Sequence, residues 1–229
     1  MGERPYTLLS CSVSLDGYLG NGVPRLALSN DADFDRVDAV RATCDAILVG
    51  AATVRHDNPR LLVRSPARRE DRVARGLPPS PIKVTVTDEA ALDPGANFFT
   101  TGECEKLVYC TTRRMDEACT RLHSLATVID AGAPITMRRI SEDLATRGIE
   151  RLMVEGGGTV HTQFLTEDLA DELQLVVAPI FIGDSQSPRF VRDGRFPWNP
   201  DRRAPLAQVR QIGDVVLLRY ALSSRFAVD

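Results

Sequence analysis

The stretch Arg151-Leu152-Met153-Val154-Glu155-Gly156-Gly157-Gly158-Thr159 decides how this chain is read. Leu152 to Val154 is a short apolar run. Three glycines then lead into a segment with helical character, Thr159 to Leu165. The pattern predicts a strand, a turn of bare backbone and a helix start. A turn without side chains lets a phosphate approach peptide N–H groups, and a helix N-terminus adds about half a positive charge. Glu155 stands at the mouth of this turn, where a polar ligand would lie. The segment is therefore expected to hold a phosphate-bearing cofactor, with Glu155 facing the substrate. A plain tight turn explains an isolated glycine triplet equally well, so the rest of the chain has to decide.

Upstream, Tyr6 to Leu15 reads as a strand that ends at the turn signal Asp16-Gly17. Ser29 or Asn30 can cap a helix running to Ala42, with Asp31 and Asp33 in its first turn and Arg41 in its last. Ala46 to Gly50 is a continuous apolar run, the mark of a buried parallel strand. Pro59 limits any helix that begins near Ala51. Arg64 to Pro81, rich in proline, glycine and charge, is expected to be loop. Further strands are expected at Ile82–Thr87, Leu107–Cys110 and Thr127–Ile129, with helices at Met115–Leu125 and Thr136–Arg147. Leu173–Ala178 and Val215–Leu222 are late strands, separated by an irregular stretch from Gly183 to Pro205. Strands alternating with helices predict an α/β fold, a mostly parallel sheet with helices on both faces. The two late strands lack a helix between them, which predicts an antiparallel C-terminal edge. No linker or repeat divides the chain, so residues 1–229 are expected to form a single domain.

Composition removes several functions. Of 229 residues, 43% are apolar, enough for a sizeable core, and no run of eighteen apolar residues exists to span a membrane. Met1 to Pro5 lacks the apolar segment of a signal peptide, and Tyr6 occupies the position where a myristoylation signal needs Ser or Thr. The net charge of −3 argues against nucleic acid as a partner. The one basic stretch, Arg60 to Arg75, also holds Glu70 and Asp71 and reads as a solvated loop. Five cysteines without a C-x-x-C pair predict reduced thiols and a cytoplasmic setting. The three histidines show no ligand spacing, so no metal is expected.

Thr53 and Asp57 follow the buried strand ending at Gly50, where ligands bind in open α/β sheets. Four residues apart, they share one face of a helical turn. Thr53 can donate to a cofactor phosphate or amide, and Asp57 can hold a sugar hydroxyl or ring N–H. A capping role for Asp57-Asn58-Pro59 accounts for the same residues. Arg41 and Arg64 flank the segment, and planar guanidinium groups pair well with phosphate.

Together these residues resemble one family. Ser12-Val-Ser-Leu-Asp-Gly17 is similar to its opening motif. Arg41-Ala42, Asp45 to Gly50, Thr53-Val54 and Asp57-Asn-Pro59 are similar to its central motif. Leu152 to Thr159 resembles its glycine loop, and Asp171-Glu-Leu173, Pro179 and Gly183 its tail. The family is the reductase domain of the riboflavin-biosynthesis deaminase/reductase, a relative of dihydrofolate reductase. The resemblance implies a three-layer dihydrofolate-reductase-like fold, NADPH as hydride donor and a homodimer. It implies 5-amino-6-(5-phosphoribosylamino)uracil as substrate, with hydride delivered to ribose C1′ of the opened imine. By position, Ser12, Thr53, Asp57, Thr87 and Gly156, Gly157, Gly158 and Thr159 would contact NADPH. Arg41, Leu61, Arg64 and Glu155 would contact the substrate, the arginines at its 5-phosphate. Asp57 and Glu155 would stand at the reaction centre. No deaminase half is matched, so a separate protein would supply that step. The chain departs from the family pattern at Tyr18, at Asn58 and at Thr87-Asp88. A carboxylate at Asp88 would repel a 2′-phosphate, which leaves NADH open as donor. A same-fold reductase of another imine, carbonyl or pterin, and a non-catalytic nucleotide-binding homologue, are the competing readings.

Overall fold

The computed structural model describes residues 3–20 and 26–226. Met1 and Gly2, at the start of the segment expected to carry no leader or lipid signal, lie outside the described residues. Along the chain run β1 (Tyr6–Ser14), α1 (Asp31–Ala42), β2 (Ala46–Gly50), α2 (Ala51–Asp57), α3 (Pro66–Ala74) and β3 (Ile82–Thr87). Next come α4 (Asn97–Thr100), β4 (Lys106–Cys110), α5 (Met115–Leu122), β5 (Thr127–Asp130), α6 (Met137–Thr146) and β6 (Arg151–Val154). The last elements are α7 (Gly158–Thr166), β7 (Glu172–Ala178), β8 (Leu206–Ile212) and β9 (Val215–Ala221). The cap expected at Ser29 or Asn30 is formed by Asn30, and Thr136 forms a second, unforeseen one. The Asn30 Oδ1 accepts the Asp33 N–H at 3.0 Å, and the Thr136 Oγ1 accepts that of Arg139 at 3.3 Å. Among the described residues no helix is long and apolar enough to cross a membrane.

The described residues pack as two compact units. One comprises Val37–Met153 with residues 3–5. Its strands follow the order β5-β4-β3-β2-β6, and β2, β3, β4 and β5 pair in parallel. All five residues of β2 are buried, so both faces of that strand are covered. Asp45, just before β2, accepts the N–H groups of Glu150 and Arg151 at 2.9 and 2.8 Å and so anchors β6. Lys83 is fully buried on β3, and its ammonium donates to the carbonyls of Phe98 and Thr101 at 3.1 and 2.6 Å. It thereby satisfies carbonyls at the end of α4, and desolvation pulls its pKa down to about 8.

The second unit comprises Tyr6–Arg36 with residues 154–226. Its strands follow the order β1-β7-β9-β8. The β1 and β7 strands are parallel, whereas β7–β9 and β9–β8 are antiparallel, the C-terminal edge the sequence predicts. Two adjacent buried carboxylates tie these strands together. Asp171 accepts from the Thr7 N–H at 2.9 Å and from the Ser223 hydroxyl, while Glu172 accepts from the Tyr6 hydroxyl and from Arg219, both at 2.9 Å. The Asp-Glu-Leu motif is thus structural here, since buried carboxylates demand this many donors.

Two expectations are overturned. The stretch from Arg64 to Pro81 is not all loop, because it carries α3. Ser65 caps that helix, Pro66 takes its first position, where a missing N–H costs nothing, and Gly76 follows its end with φ +76°. Nor is the basic stretch wholly solvated. Arg72 is 1% exposed and donates to the carbonyls of Ala42, Cys44 and Pro78 at 3.0, 2.8 and 2.8 Å. It completes the C-terminal end of α1, whose carbonyls lack helical partners. The strand β8 was also unforeseen. Six of its seven residues are exposed, so no apolar run announces it. The turn at Gly213-Asp214 folds it back on β9, pairing Ile212 with Val215.

Candidate functional site

In the first unit, α2 starts directly at the end of β2, and Gly50 leaves its first turn without a side-chain cap. Thr53 is half-buried and Asp57 exposed on this helix. Surrounding protein nevertheless desolvates the Asp57 carboxyl and raises its pKa above the usual range, against a smaller opposing effect of His56. The helix stops at Asn58, left-handed at φ +43°. Asparagine tolerates that conformation, and here its Oδ1 accepts the Asn97 N–H at 2.7 Å while its carbonyl accepts from the Asn97 amide at 3.1 Å. An aspartate could match the first bond but suits the left-handed position no better, so Asn58 is accounted for locally.

The arch that follows is tethered at nearly every peptide. Leu61 takes φ +50° with 2% exposure, a conformation that a branched side chain adopts only when packing holds it there. The Leu62 carbonyl accepts from Arg41 at 3.2 Å, and the Val63 N–H donates to the Ser80 hydroxyl at 3.1 Å. The N–H groups of Arg64 and Ser65 both donate to Asp38. Arg64 itself is exposed. Arg41 and Arg64 are thus brought to one arch, Arg41 by gripping its backbone. Thr87 ends β3 and is 4% exposed, while Asp88 beside it is exposed.

In the second unit, Ser12 lies half-buried on β1, in register with Val176 of β7. Glu155 is half-buried after β6, and Gly156 is buried with φ +122°, a region that side chains rarely enter. Gly157 caps α7 without any side-chain hydrogen bond. A helix start left uncapped by side chains, approached by bare backbone, suits the oxygens of a diphosphate. Thr159 is exposed in the first turn. Gly158 has a different reason to be glycine. A Cβ there would meet the Arg189 carbonyl oxygen at 2.2 Å.

Arg189 and His161 were not among the residues singled out from sequence. The Arg189 guanidinium sits 4.6 Å over the Tyr18 ring and donates to the Tyr18 hydroxyl at 2.8 Å. His161 is fully buried on α7, its ring centroid 5.4 Å from that of Phe190, and neither ring nitrogen has a hydrogen-bond partner. Burial holds the imidazole neutral, with its pKa pulled down to about 4. No sequence signal distinguished it, because it shows no ligand or catalytic spacing.

Residues 5–218 match the family model described as the RibD C-terminal domain. A 2,5-diamino-6-ribosylamino-4(3H)-pyrimidinone 5′-phosphate reductase of Archaeoglobus fulgidus is 32% identical over 97% of this chain and 99% of its own length. A protein of the same name from Aquifex aeolicus is 30% identical over 82% of this chain and 83% of its own length. Among solved structures, a pyrimidine reductase-like protein from Corynebacterium diphtheriae gives a TM-score of 0.83 at 23% identity, covering 95% of this chain and 91% of that one. A diaminohydroxyphosphoribosylaminopyrimidine deaminase/5-amino-6-(5-phosphoribosylamino)uracil reductase from Thermotoga maritima gives 0.77 at 21% identity, covering 95% of this chain and 56% of that one. At such identities the structural likeness speaks for the fold, the dihydrofolate-reductase-like α/β architecture expected from the motifs. With residues 5–218 of its 229 matching the family model, the chain belongs to the RibD C-terminal domain family.

Proposed function

We propose that this chain is an NADPH-dependent reductase of riboflavin biosynthesis, acting on a 5′-phosphorylated ribosylaminopyrimidine. The observation that carries the reading is the 32% identity, over 97% of the chain, to a reductase whose name states that substrate class. Residues 1–229 would work as one reductase domain in a cytoplasmic homodimer.

The residues present fit the cofactor. Gly156, Gly157, Gly158 and Thr159 would lie along its diphosphate, and the side-chain-free cap of α7 supports that role. Ser12, Thr53, Asp57 and Thr87 would hold its remaining polar groups. When bound, NADPH supplies the hydride that converts the opened ribosylamine to the ribityl product. The protein's own contribution is orientation and exclusion of water. Arg64 would meet the 5′-phosphate from an arch that Arg41 and Leu61 stiffen. Glu155 would accept hydrogen bonds from the pyrimidine. The Asp57 carboxyl, whose pKa desolvation raises, would sit beside the reacting groups.

Two ring forms compete as substrate. The sequence motifs imply the uracil form. The relatives matched over most of their own length are named for the 2,5-diamino form, which favours that ring. The test is direct. Purified protein is offered NADPH or NADH with each pyrimidine, and consumption of the reduced nicotinamide is followed alongside fluorescence quenching. Turnover with one ring form and NADPH is expected. Quenching without turnover would point to a non-catalytic homologue, and turnover only with an unphosphorylated carbonyl or pterin to a different reductase of this fold.

A further inference from the structure

One face of α1 grips the Arg64 arch at successive peptides. Asp38 and Arg41, three residues apart, share that face. One carboxylate oxygen of Asp38 accepts the Arg64 N–H, and the other accepts the Ser65 N–H at 3.1 Å and an Arg68 guanidinium N–H at 2.9 Å. Arg41 holds the Leu62 carbonyl at 3.2 Å, and Ser80 holds the Val63 N–H at 3.1 Å. Asp38 is 3% exposed, so its carboxylate gives its acceptor capacity to the backbone and to Arg68 and not to solvent. The pairing with Arg68 also neutralises it. Without that partner, a buried negative charge one hydrogen bond from the Arg64 backbone would oppose any anion brought to Arg64.

We infer that Asp38 is a positioning residue, fixing the backbone from which Arg64 meets the substrate's 5′-phosphate, an inference that rests on the reductase reading above. Asp38→Asn keeps one accepting oxygen and Arg68→Ala keeps both, so these two variants carry the test should Asp38→Ala not fold. Steady-state kinetics are measured with the phosphorylated pyrimidine and with its phosphate-free ribosyl analogue, and NADPH affinity by fluorescence quenching. For Asp38→Asn the expected result is a KM for the phosphorylated substrate raised about tenfold, with kcat within about twofold. KM for the phosphate-free analogue and NADPH affinity stay unchanged. Equal losses with both substrates, or a fall in kcat at constant KM, overturn the role. Arg64→Ala is the control. If it raises KM while Asp38→Asn does not, the positioning role alone fails. If Arg64→Ala leaves KM unchanged, the phosphate site itself is misassigned and the role of Asp38 falls with it.

Discussion

The carbonyl oxygen of Arg189 lies 2.2 Å from the point where a Cβ on Gly158 would sit. The third glycine of the triplet is therefore fixed by chain packing, whereas Gly156 is fixed by its φ of +122°. Arg189 is held in place from several sides. Its ring contact with Tyr18 is one, and the hydrogen bonds from Leu19 N–H to Pro188 carbonyl at 2.7 Å and from Phe190 N–H to Gly17 carbonyl at 3.2 Å are others.

Gly158→Ala is expected to destabilise the protein more than Gly156→Ala. The first forces a methyl group onto a backbone carbonyl that cannot move freely, a cost of about 2–4 kcal/mol. The second meets only the His161 Nε2 at an ordinary 3.5 Å, so backbone strain of about 1–3 kcal/mol is the main term. Urea unfolding of the two variants gives the order directly. The reverse order would remove the packing account of Gly158.

His161 makes stability depend on acid. Its folded pKa, about 4, lies below the ordinary imidazole value of 6.5, because burial disfavours the charged ring. Between those values the unfolded chain binds the proton and the folded protein does not, so stability is full above pH 6.5 and falls as pH drops toward 4. The loss can reach about 3 kcal/mol. His161→Leu should flatten this slope and be nearly neutral at pH 7, because the ring makes no hydrogen bond to lose. Parallel slopes in wild type and variant would show that the ring is hydrated or charged in the fold.

Glu155→Gln and Asp57→Asn are each expected to depress turnover with little change in melting temperature. Glu155 is half-buried and Asp57 exposed, so neither substitution opens a cavity. Coupled loss of folding and activity in both would return these residues to a structural role.

Arg64→Ala should raise KM for the phosphorylated substrate by tens-fold, as a charge-assisted contact contributes roughly 1.5–3 kcal/mol. The melting temperature should hold, because Arg64 is exposed and its N–H bond to Asp38 belongs to the backbone. KM unchanged from wild type would take Arg64 out of the phosphate site.

Arg72→Met has the opposite profile. It leaves the buried Cys44 carbonyl without the guanidinium and removes the same donor from the carbonyls of Pro78 and Ala42, the last of which keeps Arg75 at 3.3 Å, a loss of about 2–3 kcal/mol. Thermal melts should shift downward while KM for both ligands stays put. Wild-type stability in this variant would mean that water replaces the guanidinium.

Much of the architecture was legible because local signals agreed. The apolar runs of β2 and β6, the cap at Asn30, and the spacing of Thr53 and Asp57 depend on residues close in sequence. The α3 helix was missed although Ser65-Pro66 is a sound N-terminal signal, because the surrounding prolines and charges masked it. The β8 strand was missed because an exposed strand needs no apolar pattern.

The order of residues by itself determined which segments become strands and helices, and that Glu155 and the glycines follow β6, since periodicity, capping and bare backbone act within a few positions. Only the tertiary structure decided which polar groups are structural. Asp38 and Arg72 look like ordinary surface charges in the sequence, and Asp171 and Glu172 like part of a motif of unstated role. Their meaning comes from carbonyls and N–H groups as far as 164 residues away in the chain, because a buried charge is tolerated only where folding delivers partners for it.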